Sequence, residues 1–441
     1  MAPVSLPFKN MNRLLAHMHL PDVMRNLSGV TPHEVGLALK RLALKRRSKG
    51  APPINSDFYD LRDLLSPDDV AVLTKIRSYM EERVSPVIAD YWERGEFPHE
   101  LVPSFAHLVQ ETWATRPYAI DSLGPLLSGM ACMEMARVDA SIYTFFGVQW
   151  GLAMGSISMF GSEAQKAHWL PQMSRFEAIG AWSLTEPDVG SATAAGLTTT
   201  ARREGDTWVI NGAKKWSGNA PFADIHVVWA RDLSDQQVKG FLIERGTPGL
   251  HVEKLPGKIA LRVVQNADIR LENCRVPERN RMPNAHSFRD VARQLAMARG
   301  GVAWAMTGVA MGAYEHALAY ANQRQQFGQP IAGFQMIQNN LVQMLANVTA
   351  MQVLCTRMAQ LQTRDGRISQ ERASLAKLFC GEKMRETVAL ARGVLGGNGI
   401  LLEHHVARFF ADAEALYSYE GTHEMNTLIV GRAITGMGAF L

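Results

Sequence analysis

Thr207-Trp-Val-Ile-Asn-Gly212 interrupts a chain that is otherwise written in helical periods. Four residues with strand preference run into Asn-Gly, a strong short-range hairpin signal. Similar runs follow: Ile225-His-Val-Val-Trp-Ala230, Gly240-Phe-Leu-Ile-Glu244 before Thr247-Pro-Gly249, and Ala267-Asp-Ile-Arg-Leu271. They predict a compact antiparallel β-barrel or sandwich over residues 179–285. On either side, apolar residues recur at spacings of three and four. Upstream, Asp69-Val-Ala-Val-Leu-Thr-Lys-Ile-Arg-Ser-Tyr-Met80, entered through Ser66-Pro67, typifies a helical domain at 51–178. Downstream, long proline-free stretches at Arg289–Gln326, Gln335–Leu361 and Ser369–Leu395, and a last helix after Thr422, predict a four-helix bundle at 286–441. The expected fold class is α+β, with no internal repeat and no βαβ pattern.

The chain has 441 residues, 47% of them apolar, enough for a large shared core. Its formal charge of +4 is unevenly placed: residues 1–50 carry nine Lys/Arg against two acids, leaving the rest slightly acidic. No nucleic-acid partner is expected of such a body. Within that basic extension, residues 32–47 read as a basic amphipathic helix, suited to contact with an anionic membrane or, equally, to a solvated or subunit-packing arm. Cys132, Cys274, Cys355 and Cys380 are widely spaced, so neither a metal site nor a disulfide framework is expected. Ala140–Phe160 is free of charge for 21 residues, but Gly147, Gln149, Ser156 and Ser158 dilute it, and a buried helix is the expected reading. The start lacks an apolar secretory core; a cytoplasmic location is expected, with the mitochondrial matrix as the alternative because the extension is Arg-containing and poor in acids.

Three short stretches could carry chemistry. Leu184-Thr-Glu-Pro-Asp-Val-Gly-Ser191 forces a turn through Pro187 and Gly190, as a loop that binds a polar ring or an ordinary connector would. Lys214-Lys-Trp-Ser-Gly-Asn219 offers an indole beside small residues, suited to a flat aromatic cofactor or to the core. Tyr417-Ser-Tyr-Glu-Gly-Thr422 places a carboxylate among aromatic rings just before a helix, where partial desolvation would raise its pKa toward that of a general base. Leu395-Gly-Gly-Asn-Gly399 follows a helix and lacks dinucleotide spacing, and Gly308 and Gly312 fit close helix packing.

Taken together, these segments, with Arg324-Gln-Gln-Phe-Gly328, resemble the acyl-CoA dehydrogenase and oxidase superfamily over about residues 52–440. Leu261-Arg-Val-Val-Gln-Asn-Ala-Asp-Ile269 and Gly431-Arg-Ala-Ile-Thr-Gly436 are most similar to the branch of glutaryl-CoA dehydrogenases and plant short-chain acyl-CoA oxidases. The resemblance implies a homotetramer with FAD at a subunit interface. It implies α,β-dehydrogenation of a short or compact acyl-CoA, Glu420 taking the α-proton and flavin N5 a β-hydride. Leu184, Thr185, Trp216, Ser217, Thr422 and Glu424 would hold the cofactor, with Arg324, Phe327, Gln335, Leu395, Gly396 and Gly397 reaching it from the neighbouring subunit. Ser191, Arg299 and Gly421 would touch the acyl-CoA. The base that some members carry beside Arg299 corresponds to Ala298, which cannot accept a proton.

Several departures accompany the resemblance. The arginine and glutamate tied to glutarate recognition correspond to Tyr143 and Ala136, so a distal carboxylate is disfavoured. Phe145, Phe146, Trp150 and Trp304 would either narrow the acyl pocket or belong to the core. Thr112-Trp-Ala-Thr-Arg-Pro-Tyr118 replaces a Gly-rich loop, and Ala192 an aspartate. The ending Gly438-Ala-Phe-Leu441 is not of the peroxisomal type, which favours a dehydrogenase serving an electron-transfer flavoprotein over an oxidase. A non-catalytic flavin-binding homologue that engages a partner or nucleic acid is the remaining alternative.

Overall fold

A computed structural model describes residues 54–113, 123–191 and 193–438. The basic extension, most of the loop at 112–118, and Ala192 lie outside them. In the N-terminal helices, α1 (Pro67–Tyr79) starts where the sequence signals it: Ser66 accepts the Asp69 amide at 3.2 Å and Pro67 takes the first helical position. α2 (Ser85–Arg94) and α3 (Val102–Trp113) follow, then α4 (Gly124–Val138). Asp139 ends α4 and caps α5 (Ala140–Phe146) by accepting the Ile142 amide at 2.9 Å. Its other oxygen pairs with buried Arg408, tying this corner to the C-terminal region.

The uncharged stretch Ala140–Phe160 is α5, a π-helical passage at Gly147–Met154, and α6 (Gly155–Phe160). Most of it is buried, with Gly151 exposed and Gly147, Trp150, Leu152, Ser158 and Met159 partly so; no helix among the described residues is long and apolar enough to cross a membrane. Phe145 and Phe146 are core: their rings lie 5.8 and 5.1 Å from Phe105 and 5.8 and 5.5 Å from Phe176. Half-buried Trp150 stacks on Phe146 at 6.0 Å. The helix α7 (Glu163–Ser174) leads into the sheet.

Seven strands follow: β1 (Gly180–Ser183), β2 (Thr200–Glu204), β3 (Thr207–Gly218), β4 (Ile225–Asp232), β5 (Val238–Glu244), β6 (Leu250–Lys254) and β7 (Asn266–Pro277). Their order is β1-β4-β2-β3-β7-β6, with β5 also on β4. Pairings are antiparallel except those of β4 with β1 and β2, which are parallel and are reached through intervening chain long enough to cross over.

One local expectation is corrected. Asn211-Gly212 is not a turn; β3 runs through it, with Asn211 opposite Thr200. The tight turn is Gly205-Asp206, which joins Glu204 to Thr207 with Gly205 at φ 62°. Gly212 is required for a different reason: a Cβ there would sit 2.6 Å from Thr199 Oγ1. A second irregularity, between Lys214 and Ser217, matters more, because it sets Trp216 at φ 65° and turns its indole outward, 54% exposed.

The C-terminal region begins with α8 (Phe288–Gln323), opened by a Ser287/Asp290 capping box. After the small hairpin β8 (Gln325–Gln326) and β9 (Gln329–Pro330) come α9 (Gln335–Asp365), α10 (Gln370–Leu395), α11 (Val406–Ser418) and α12 (His423–Thr435). Gly308 and Gly312 do serve close packing: a Cβ at either would lie 2.1 Å from the carbonyl oxygens of Met133 and Arg137 on α4.

Candidate active site

Between α11 and α12 the chain makes a turn that few residues tolerate. Tyr419 is extended, then Glu420 and Gly421 both take left-handed conformations at φ 55° and 82°, and Thr422 caps α12 by accepting the Met425 amide at 3.3 Å. A left-handed glutamate costs about 1–3 kcal/mol and persists only when its surroundings hold it there. Three such holds are visible. Lys377 Nζ donates to the Gly421 carbonyl at 2.8 Å, and Asn426 Nδ2 donates to the same oxygen at 2.8 Å. Asn426 also donates to the Thr422 carbonyl at 2.9 Å. At Gly421 itself, a Cβ would meet Asn426 Nδ2 at 3.2 Å and Arg299 Nε at 3.6 Å.

Glu420 is half-buried, and one oxygen of the carboxylate this turn presents is shut off from water with unspent hydrogen-bonding capacity. Glu420 Oε2 is buried without a partner, and so are Nε and Nη1 of Arg299. Burial pushes the Glu420 carboxyl above its ordinary range, while the charges of Arg299 and Lys377 pull it back. Burial lowers the Lys377 ammonium to about 8, against the opposing pull of Glu420. Two buried phenols complete the surroundings: Tyr143 of α5 and Tyr419, each pushed up mainly by burial and further by Glu420. A desolvated carboxylate with a raised pKa and one free lone-pair direction is a competent proton acceptor.

The loop after β1 is built the opposite way. Glu186 accepts from Thr198 N at 2.6 Å, Thr198 Oγ1 at 2.6 Å, Thr199 N at 2.8 Å and Lys214 Nζ at 2.9 Å. Burial works against its charge, yet Lys214 and the threonine donors hold it down at about 2. Lys214 also donates to the Leu184 carbonyl at 3.1 Å, and the Lys215 amide to the Thr185 carbonyl at 2.8 Å. Pro187-Asp188 closes a tight turn between Glu186 and Val189. Ser191 is exposed just beyond it. Leu184 and Thr185 are thereby fixed beside the bulged Trp216, whose neighbour Ser217 bonds Ser183 Oγ at 2.8 Å.

The two features are linked through α5 and the π-helical passage. Phe145 O accepts from Asn219 Nδ2 at 3.3 Å, and a Cβ on Gly218 would press on Val148 at 2.9 Å, while Tyr143 on the same helix lies in the field of Glu420. Arg324, Phe327, Gln335, Gly396 and Gly397 are elsewhere. Arg324 is the C-cap of α8, 25 helical positions beyond Arg299, or roughly 37 Å at 1.5 Å per residue. Phe327 and Gly328 form a two-residue hairpin loop with both residues left-handed, φ 50° and 79°, and Phe327 is 92% exposed. The Gly396–Ile400 turn belongs to the same end, since Asn398 Nδ2 donates to Tyr320 Oη at 2.9 Å; Leu395 before it is buried. Glu424 stands exposed in the first turn of α12 beside Thr422.

Trp304, a candidate for the acyl pocket, instead packs against Gly129 and lines a cavity of about 350 Å³ with Met130, Met133, Met311 and Gln352, which contains none of the expected site residues. Sequence reasoning passed over Lys377, Asn426 and the Glu186–Lys214 pair. Lys377 had a signal: it interrupts the buried stripe Ala373, Ala376, Cys380, Met384 of α10.

An α+β body with helices before and after a mixed sheet carries, at the turn before α12, a glutamate whose buried Oε2 is unpartnered near an arginine and a lysine, an arrangement suited to accepting a proton. Models of the acyl-CoA dehydrogenase N-terminal, middle and C-terminal domains match residues 66–177, 181–274 and 288–435. The chain belongs to the acyl-CoA dehydrogenase family. It is 32% identical over 359 residues to the mitochondrial short-chain specific acyl-CoA dehydrogenase of Rattus norvegicus, covering 80% of this chain and 87% of that one. A glutaryl-CoA dehydrogenase from Mycobacterium smegmatis in complex with FADH2 is similar in structure with a TM-score of 0.83, 32% identity, and coverage of 87% and 98%. For butyryl-CoA dehydrogenase from Megasphaera elsdenii the values are 0.78, 28%, 84% and 98%.

Proposed function

We propose that this chain catalyses the FAD-dependent α,β-dehydrogenation of a short, uncharged acyl-CoA thioester, with Glu420 as the base. The observation that carries this reading is the buried Glu420 carboxylate, whose Oε2 is unpartnered beside the unpartnered guanidinium atoms of Arg299. The residues fit FAD: a bulge turns a large indole outward at Trp216, and the adjoining Leu184–Thr185 loop is pinned from within by Glu186 and Lys214. Bound FAD supplies a two-electron acceptor for the β-hydrogen. Glu420 takes the α-proton, leaving the substrate with an α,β double bond and the carboxyl protonated. The Glu420 amide donates to the thioester carbonyl as negative charge builds there, a contribution on the order of 3 kcal/mol for a preorganised donor. Arg299 and Gly421 line the thioester's approach.

The roughly 37 Å of helix between Arg299 and Arg324 supports a site completed by a second copy of the chain, within a homotetramer. In that arrangement the exposed Phe327 loop and the Gly396–Gly397 turn reach the neighbour's FAD. The acyl group is read as uncharged because Ala136 and Tyr143 offer no cation to a distal carboxylate. Electrons leave through an electron-transfer flavoprotein. Incubation with short, branched and dicarboxylic acyl-CoAs and an electron acceptor tests this. Products two hydrogens lighter are expected from short neutral chains, with little peroxide in air. Peroxide in step with product would replace the dehydrogenase by an oxidase, and no product from any thioester would overturn the reading.

A further inference from the structure

Lys377 projects from the middle of α10 into the turn that carries Glu420, and the proposed dehydrogenation gives it no part in the reaction. It is 3% exposed, and its ammonium is spent on backbone carbonyls: Gly421 at 2.8 Å and Tyr417 at 3.4 Å. These two carbonyls bracket Glu420 in sequence. A buried cation normally pairs with a carboxylate directly. Here it grips the peptide next to the carboxylate and acts on it through space.

We propose that Lys377 is a positioning residue for proton abstraction: its ammonium locks the left-handed Glu420–Gly421 pair and keeps the Glu420 carboxylate ionised, and so ready to accept the α-proton, near neutral pH. This rests on the dehydrogenation reading of Glu420. Burial drives the carboxyl upward, Arg299 and after it Lys377 draw it back, and a protonated Glu420 accepts nothing. The charged and titratable groups around the pair are Arg299 of α8, Tyr143 of α5, Tyr419 of the turn itself, and Glu424 and His423 at the start of α12. Arg299 faces the same carboxylate, but its own Nε and Nη1 are unpartnered, which leaves it available to the substrate. Asn426 duplicates the grip on the Gly421 carbonyl without supplying charge. Loss of Lys377 therefore removes one of the two charges that draw the Glu420 carboxyl down, with Arg299 still in place, while Asn426 keeps its hold on the Gly421 carbonyl.

The test uses the FAD-loaded protein and (methylthio)acetyl-CoA, a thioester with α-hydrogens but sulfur in place of the β-carbon, so that α-deprotonation is seen without oxidation. The enolate is read as long-wavelength charge-transfer absorbance against the flavin across pH. Relative to wild type, both Lys377→Met and Lys377→Gln are expected to raise the pH midpoint by about one unit, equivalent to roughly fivefold less enolate at the wild-type midpoint. Lys377→Gln retains a donor for the Gly421 carbonyl and guards against a folding defect in Lys377→Met. A role confined to structure would lower the plateau and leave the midpoint in place, and that result overturns the proposal. No band in the wild type overturns the dehydrogenation reading and this inference with it.

Discussion

Glu186 and Glu420 are both glutamates withdrawn from water next to a buried lysine, and the protein treats them in opposite ways. Glu186 is saturated by four donors, one of them the lysine, and its carboxyl is held at about 2. Glu420 receives no lysine hydrogen bond, because Lys377 is turned to the neighbouring carbonyl; one of its oxygens is unpartnered and its carboxyl is raised. Burial and a nearby lysine thus do not by themselves mark a catalytic carboxylate. What separates the two is whether the hydrogen bonds are completed from within, as a structural brace requires, or left open, as the proposed base requires.

The largest effects should come from exchanging each carboxylate for its neutral isostere. Glu420→Gln is expected to lower turnover by about 10²- to 10⁴-fold, the usual range for loss of a general base, while urea unfolding stays at or above the wild-type midpoint. Glu186→Gln should show the inverse pattern: loss of stability and of flavin retention, with turnover of the FAD-saturated protein far less affected. Lys214→Met, which leaves Glu186 as an unpaired buried charge, should cost about 3–5 kcal/mol by the same unfolding measurement.

The pH dependence of stability should separate the pair by sign. The folded-state pKa of Glu186 is below its ordinary 4.5, so its contribution is complete above that value and is lost as pH falls toward about 2. The stability gap between wild type and Glu186→Gln should therefore shrink on acidification. The folded-state pKa of Glu420 is raised, so its ionised form is penalised only in the fold, and that penalty grows as pH climbs past 4.5. Glu420→Gln should match wild type in acid and exceed it in stability near neutrality. The smallest effect expected is from Thr198→Val, which removes one hydroxyl donor from Glu186 and should cost about 1 kcal/mol.

Much of this is legible in the amino-acid sequence. The change of period near 179 and 285 gave the sequence of helices, sheet and helices, because that pattern records which faces are buried. The Tyr417–Thr422 stretch singled out the glutamate proposed as the base because aromatic residues, a Gly and a helix start sit beside it. Asn211-Gly212 misled because a hairpin signal is local, whereas the demand for Gly212 comes from Thr199 on the neighbouring strand. The parallel pairings of β4 were hidden for the same reason. Lys377 meets a carbonyl 44 residues away, a contact that helical spacing can suggest only as an oddity in an apolar stripe. The uncharged run at 140–160 was legible as buried, but its role as the link between Trp216's strand and Glu420 required the fold.

The account depends most on Glu420 being the base and Glu186 the brace, and one experiment addresses both. Anaerobic titration of FAD-loaded wild type, Glu420→Gln and Glu186→Gln with butyryl-CoA, followed by flavin absorbance, should bleach the wild type and Glu186→Gln and leave Glu420→Gln yellow. Bleaching of Glu420→Gln at the wild-type rate would contradict it.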